Sequence, residues 1–239
     1  MNVPMLGNPP STSSRRRALL ALLLLAPAPS VGVLVGLTFD KGLLGTILWA
    51  FAKIWLFGLP VLWYLFVDKQ PLSWSPARCG GFVTAAILGV AIGLMIVATY
   101  FVVADALIDP TVVRSKVQGL GLTRRWTYVG LAAYLICINS LLEEYVYRWF
   151  IFRKWETLVG GPLAVVGSAL VFVVHHLIIL TAYFPVSLVV LGSAGVFVGG
   201  LVWSWLYRKY GSVWPPFVSH ALVDIAVLIV GYFIIFGSP

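Results

Sequence analysis

The sequence predicts an all-α fold, a polytopic transmembrane bundle of about seven helices. Composition is the first reason: 61% of the 239 residues are hydrophobic and 10% are charged, against roughly 45–50% and 25% in soluble domains. The second is that apolar runs long enough to cross a bilayer recur along the whole chain. The lipid bilayer is therefore the first predicted partner. The net charge of +8 is spread over short clusters between these runs, which is typical of loop anchors and predicts no nucleic acid partner.

Hydropathy predicts spans at residues 18–39, 42–67, 81–103, 127–152, 162–184, 186–207 and 213–236. The first span carries two prolines, Pro27 and Pro29, so we expect a kink there. A cleaved signal peptide is the alternative, because a polar leader and three arginines precede a short apolar core. The short gap at Pro185 predicts either a tight hairpin or a re-entrant segment between the fifth and sixth spans. The segment 105–126 is expected to be a loop or an interfacial amphipathic helix.

The predicted spans and loops divide the sequence into four parts. Residues 1–14 are predicted to be a disordered leader, and 15–126 hold the first three spans and the long loop. Residues 127–230 form the core, and 231–239 are the C-terminal end. Basic residues are more frequent in the loops on the side of the N-terminus, which predicts a cytoplasmic N-terminus in a plasma (inner) membrane.

Ionisable residues inside the predicted spans are few. They are Lys53, Glu143, Glu144, Arg148, His175, His176, His220 and Asp224. Each costs about 2.5–3.5 kcal/mol at mid-bilayer on insertion scales, so several together predict mutual neutralisation and a functional site. Lys53 has aromatic neighbours in the sequence, and a structural, snorkelling role is expected for it.

Two pairs of residues and one further glutamate account for most of these charges. Glu144 and Arg148 stand one helical turn apart and predict a structural ion pair. Glu143 projects about 100° away from Glu144, so its carboxylate is a candidate general base. His220 and Asp224 are again one turn apart, and the aspartate is expected to accept from the imidazole and fix its tautomer.

The ordered motifs Glu143-Glu144-x-x-x-Arg148, Phe172-x-x-x-His176 and His220-x-x-x-Asp224 resemble the CPBP family. This family comprises CAAX proteases and bacteriocin-processing enzymes and is also called Abi. The resemblance covers about residues 127–230 and implies an α-helical intramembrane endopeptidase that uses neither a serine nor a cysteine nucleophile.

The resemblance also implies roles for individual residues. Glu143 would activate water, assisted by His176, which the phenylalanine motif selects over His175. His220 and Asp224 would position the scissile carbonyl and stabilise its oxyanion, while Glu144 and Arg148 would support the site. Eukaryotic-type members have asparagine where this chain has Asp224. An ionised aspartate cannot donate to an oxyanion, so Asp224 is expected to orient His220.

The predicted function is hydrolysis of a peptide bond in a membrane-associated protein or peptide. A divalent metal such as zinc stays open as a cofactor, with Glu143, His176 and His220 as candidate ligands. Two alternatives also stay open. One is a non-catalytic immunity or partner-stabilising membrane protein, and the other is a proton-coupled transporter, although no matching halves are found in the seven spans.

Overall fold

The computed structural model describes residues 11–38, 43–119 and 122–237, and within these ranges it contains helices and no strand. The helices are α1 Thr12–Leu25, α2 Ala28–Thr38, α3 Leu43–Val67, α4 Phe82–Leu107, α5 Pro110–Gly119, α6 Arg125–Val159, α7 Gly161–Tyr183, α8 Val186–Tyr210 and α9 Trp214–Phe236. In the described part of the chain, seven segments are long and apolar enough to span a membrane, α1 and α2 together forming the first. The predicted fold class is confirmed.

The first span is broken at its prolines. α1 ends at Leu25, Pro27 lies between the helices, and Pro29 falls in the first turn of α2, because proline cannot donate the hydrogen bond that a continuous helix requires. α1 begins at Thr12, with the Ser11 hydroxyl accepting from the Ser14 backbone N–H at its N-terminus. Residues 12–14, expected in the disordered leader, are thus helical, and residues 1–10 lie outside the described residues.

Pro185 separates two antiparallel helices. α7 ends at Tyr183 and α8 begins at Val186, and the two pack along their lengths. Each is long enough to span, so the structure has the hairpin and not the re-entrant segment.

The segment expected as a loop or an interfacial helix contains the short helix α5. Asp109 caps its start, with Oδ1 accepting from the hydroxyl of Thr111 at 2.6 Å and from its backbone N–H at 2.9 Å. These bonds favour the ionised carboxylate and hold the pKa of Asp109 below its usual range. Arg114 and Lys116 reach the last carbonyls of α9 and α7 respectively.

Helix α6 is 35 residues long. Two π-helical segments, Leu135–Asn139 and Tyr145–Phe152, flank a short α-helical stretch, Ser140–Glu144. Every residue from 146 to 152 is buried, whereas large apolar side chains elsewhere, such as Ile54 and Phe101, are exposed and are suited to contact acyl chains. The π-helical turns therefore border the stretch that carries both glutamates.

The two ends of the bundle differ. Arg15, Arg17, Arg153 and Lys154 lie at one end, where Arg15 donates to the Leu158 carbonyl and Lys154 pairs with Asp68. We call this the basic end. The opposite end, where α7 terminates, is called the Tyr183 end.

Candidate active site

Side chains from α6, α7 and α9 meet around one cavity of about 530 Å³. The cavity-lining residues include Glu143, His176, His220 and Asp224. The four residues predicted from the sequence as catalytic are thus brought together. From them the cavity extends towards the Tyr183 end, past Leu135 of α6 and Gly36 of α2.

Glu143 lies at the surface of this cavity, with its side chain 18% exposed. Its Oε1 accepts a hydrogen bond from the Asn139 amide at 2.9 Å, and its Oε2 lies 3.6 Å from His220 Nε2. Tyr147, the residue one turn further on, bonds elsewhere. The carboxylate is therefore oriented by one neutral donor and retains access to the cavity.

His220 is fixed from two sides. Its Nδ1 donates to Glu144 Oε1 at 2.8 Å, and its ring stacks on Trp203 with centroids 3.8 Å apart and planes 15° from parallel. These contacts turn Nε2 towards Glu143. Asp224 Oδ1 lies 3.8 Å from His220 Nε2, beyond hydrogen-bond distance, so no hydrogen bond supports the orienting role expected for Asp224, which stays a prediction.

Asp224 is held instead by a serine that the sequence reasoning missed. Ser140 Oγ lies 2.5 Å from Asp224 Oδ2 and 2.8 Å from the Leu135 carbonyl. The Leu135 carbonyl also accepts the Ser140 backbone N–H, closing the π-helical turn. Small polar residues in membrane spans usually serve helix packing, so Ser140 gave no distinguishing signal in the sequence.

Both neighbouring histidines of α7 line the cavity, although only His176 was expected to contribute. His176 Nδ1 donates to the Phe172 carbonyl at 2.9 Å, which leaves Nε2 of the neutral ring free to accept a proton or bind a ligand. His175 Nδ1 is 2.8 Å from the Tyr147 hydroxyl. The two imidazole centroids are 4.0 Å apart.

The side chains at this cavity are of the types that bind metal ions. The structure groups His175 with Glu143 and His176 as possible ligands, in place of the His220 proposed from the sequence. In the described part of the chain, ligand atoms of Glu143, His175 and His176 lie within 4.8 Å of one another. Two imidazoles and a carboxylate suit zinc, with water as fourth ligand, and bonds of about 2.0–2.2 Å would require the donors to move closer together. The Phe172 carbonyl would orient His176 as a metal ligand in the usual way.

Glu144 and Arg148 lie behind the cavity, and both side chains are fully buried. Arg148 Nη1 is 3.3 Å from Glu144 Oε1, and the guanidinium lies over the rings of Phe172 and Trp203 at 4.7 and 5.2 Å. The same glutamate oxygen accepts from His220. A buried pair of this kind couples the position of the imidazole to the packing of α6.

Lys53 also lines the cavity, which the sequence reasoning did not anticipate. Its Nζ lies 5.9 Å from the Phe57 ring centroid, in agreement with the aromatic neighbours noted in the sequence. The cavity wall formed by α2 and α3 thus carries a charged group facing the same space as the predicted catalytic residues.

Comparison with known proteins supports the resemblance. Residues 125–226 match the family described as type II CAAX prenyl endopeptidase Rce1-like. The matched segment contains all seven named residues of the three motifs. No curated protein and no solved structure matches the chain.

Proposed function

We propose, from the premise that residues 125–226 belong to the Rce1-like type II CAAX prenyl endopeptidase family, that this protein is an intramembrane endopeptidase. Its substrate would be a membrane-associated protein or peptide whose segment enters the cavity. The observation that carries the proposal is the convergence of Glu143 Oε2 and His220 Nε2, 3.6 Å apart, at the wall of the cavity.

In the proposed reaction, Glu143 takes a proton from water while the water oxygen bonds to the scissile carbonyl carbon. His176 Nε2 is available to orient the same water, because its Nδ1–H is committed to the Phe172 carbonyl. The C–N bond then breaks, and Glu143 returns the proton to the leaving amine nitrogen. No residue forms a covalent intermediate.

His220 is the proposed oxyanion donor. Its Nδ1–H is engaged by Glu144, and in the imidazolium form its Nε2–H is directed into the cavity, where three carboxylates surround the ring. A donor fixed in advance by stacking on Trp203 stabilises developing charge without reorganisation. Asp224, held by Ser140, would position this donor and the substrate without contributing a proton.

A metal is an alternative source of activated water at the same place. Glu143, His175 and His176 would hold it, and bound zinc would lower the pKa of its water ligand. A peptidase that depends on a metal loses activity with a chelator and regains it with zinc, whereas activity carried by Glu143 as a base is insensitive to the chelator.

The test uses protein reconstituted in lipid nanodiscs and an S-farnesylated CAAX peptide with a fluorescent reporter. We expect Glu143→Gln and His176→Ala to reduce cleavage by at least about a hundredfold, with the folded yield preserved. Glu156→Gln, an exposed glutamate on the same helix, is the control. Comparison of membrane-protein termini in cells with wild type and with Glu143→Gln identifies natural substrates.

Full biological activity in folded Glu143→Gln and His176→Ala variants would exclude peptidase chemistry. It would favour the non-catalytic alternative, in which the polar interior stabilises a partner-binding membrane protein. Loss of proton-coupled uptake in these variants, without any peptide cleavage by wild type, would favour the transporter.

A further inference from the structure

Another cavity, of about 380 Å³, lies at the basic end between α1, α3 and α6, and we call it the basic cavity. Its charged lining residues are Arg17, Asp68, Arg153 and Lys154. At a rise of about 1.5 Å per residue, Arg17 and Lys154 lie about 8 Å from the nearer ends of their helices. The headgroup layer on each face of a bilayer is about 5–8 Å thick. The basic cavity therefore lies at the level of the lipid headgroups, whereas the cavity that holds Glu143 extends towards the opposite end.

Positive charge exceeds negative charge in the basic cavity. Lys154 pairs with Asp68, and among the described residues that line the cavity Asp68 is the only one with a carboxylate. Arg17 and Arg153 both lie close enough to Lys154 to act on it electrostatically. Three cations and one carboxylate leave a net charge of +2. Because like charges in a small space repel one another, an anion bound among them is favourable.

Arg17 is held in position without losing its charge. Its Nη1 donates to the Val67 carbonyl at 3.1 Å, and its Nε lies 3.4 Å from the Ser13 carbonyl. A carbonyl oxygen orients a guanidinium group but carries no full charge, so it does not neutralise it. The planar fork of N–H groups on an arginine matches the oxygens of a phosphate. The Ser14 hydroxyl lines the same cavity and is a further hydrogen-bonding group for a phosphate oxygen.

The surroundings of the basic cavity favour a phospholipid over a soluble phosphate. Leu20 and Leu24 follow Arg17 by three and seven residues, so they lie on the same face of α1, and both are exposed. Trp149 and Tyr64 line the cavity with their ring centroids 4.5 Å apart, and such residues are enriched where headgroups meet hydrocarbon. A lipid whose phosphate lies at Arg17 can thus extend its acyl chains along α1.

We propose that the basic cavity binds the phosphate of an anionic phospholipid, with the guanidinium groups of Arg17 and Arg153 as its ligands. Basic pockets between membrane helices on the cytoplasmic side are suited to such headgroups, in agreement with the orientation predicted for the basic end. The bound phosphate joins α1 to α6, and a ligand that binds only the folded state stabilises it. This site is separate from the proposed catalytic residues and does not depend on the peptidase function.

The experiment uses the full-length protein in a neutral detergent. Native mass spectrometry measures lipid binding, and thermal unfolding measures stabilisation. The probes are phosphatidylglycerol, phosphatidylcholine with the same acyl chains, and inorganic phosphate. For wild type we expect phosphatidylglycerol to bind about tenfold or more tightly than phosphatidylcholine and to raise Tm, whereas inorganic phosphate should leave Tm unchanged. Arg17→Gln/Arg153→Gln should bring the two lipids within about twofold of each other.

The matched control is Arg78→Gln/Lys209→Gln. It removes the same charge from exposed residues at the basic end that do not line the basic cavity, and it should keep the preference for phosphatidylglycerol. Arg17→Lys/Arg153→Lys retains the charge and should keep part of the preference. If the Arg17→Gln change prevents folding, Arg153→Gln alone, at an exposed position, should lower the preference about fivefold.

Equal binding of the two lipids to wild type would overturn the proposal. A preference that persists in Arg17→Gln/Arg153→Gln would do the same, as would an equal loss in the control, which would indicate attraction by the whole basic end. Stabilisation by inorganic phosphate as large as that by phosphatidylglycerol would overturn the lipid assignment and indicate a soluble ligand. None of these measurements requires peptide cleavage, so failure of the peptidase proposal leaves their outcomes unaffected.

Discussion

Adjacent glutamates in α6 occupy opposite environments. Glu144 is fully buried and contacts both Arg148 and His220, whereas Glu143 reaches the cavity and accepts from a neutral amide. The angular step of about 100° between neighbouring helix residues accounts for this separation. The Glu144 carboxylate is bound by Arg148 and His220 of the protein itself, whereas the Glu143 carboxylate remains accessible to a substrate.

The buried position of Glu144 predicts a loss of stability on substitution. Glu144→Ala leaves the Arg148 guanidinium buried without its counter-charge, and we expect a loss of about 3–5 kcal/mol. Glu143→Ala, at the cavity surface, should cost far less. Unfolding of the detergent-solubilised protein, followed by tryptophan fluorescence, measures both, and Glu156→Ala is the control. Equal destabilisation by the two glutamate variants would contradict this division.

Ser140 carries a second prediction. Removing its hydroxyl with Ser140→Ala takes away the 2.5 Å contact with Asp224, so the aspartate is free to rotate within the cavity. We expect kcat to fall about tenfold, the cost of one hydrogen bond to a charged group, with little change in KM or thermal stability. Ser187→Ala, an exposed serine at the start of α8, is the control. Wild-type kcat in Ser140→Ala would show that Asp224 needs no such support.

Sequence periodicity predicted which of these residues approach one another, but not how they bond. The spacing of His220 and Asp224 correctly placed them on one face, yet Glu144 from another helix is the nearer partner of the imidazole. Contacts between helices depend on how each helix is rotated about its axis and on the angle at which two helices cross. The spacing of residues along one helix gives no information about either quantity. For the same reason Lys53 was interpreted from its neighbours in α3 and not from the cavity that it faces.

At the scale of the helix, α6 is unusual for its two π-helical segments. Neither glycine nor proline marks them in the sequence, and hydropathy is insensitive to an i→i+5 hydrogen bond. Wide turns of this type occur frequently at functional sites. Here the first one aligns Ser140 with the Leu135 carbonyl, and the second contains Arg148. The constellation therefore depends on a backbone feature that the sequence pattern did not reveal.

Helix α5 explains two of the positive charges on the Tyr183 side. Arg114 donates to carbonyls at the end of α9, and Lys116 donates to the Tyr183 carbonyl at 2.7 Å. Cations at helix C-termini satisfy free carbonyls and the helix dipole. Arg114 and Lys116 therefore bind carbonyls of the protein itself. Their positive charges are weaker evidence against the predicted cytoplasmic N-terminus than positive charges in an exposed loop would be.

The close contact between α4 and α9 yields a prediction about His220. A Cβ added at Gly89 would lie 2.8 Å from the Ser219 carbonyl and 3.0 Å from Leu222 Cβ, so Gly89→Ala must displace α9 beside His220. We expect a loss of about 1–3 kcal/mol together with reduced peptidase activity. Gly130→Ala, where nothing lies within 4 Å of the added atom, is the matched control and should stabilise slightly. Thermal unfolding and cleavage rates are measured for both, and equal behaviour would contradict the proposed contact.

Across the whole molecule, the predicted number of spans is confirmed because bilayer thickness restricts what an apolar run can become. The ends of the spans are less accurate. The fourth was predicted at 127–152, but α6 continues to Val159 through Arg153, Lys154 and Glu156. Hydropathy detects where the chain leaves the hydrocarbon core of the bilayer. A helix continues beyond that point as long as its backbone hydrogen bonds and its packing against neighbouring helices stabilise it.

Orientation is the last prediction, and it determines which side supplies the substrate. The positive-inside rule places the basic end in the cytoplasm, so the cavity, which extends to the Tyr183 end, would face the opposite side. With the exposed cysteines Cys79 and Cys137 changed to serine, Tyr183→Cys should react with an impermeant maleimide in intact cells. Lys209→Cys, at the basic end of α8, should react only after permeabilisation. The reverse pattern would place the cavity on the cytoplasmic side, and substrates would then enter it from the cytoplasm.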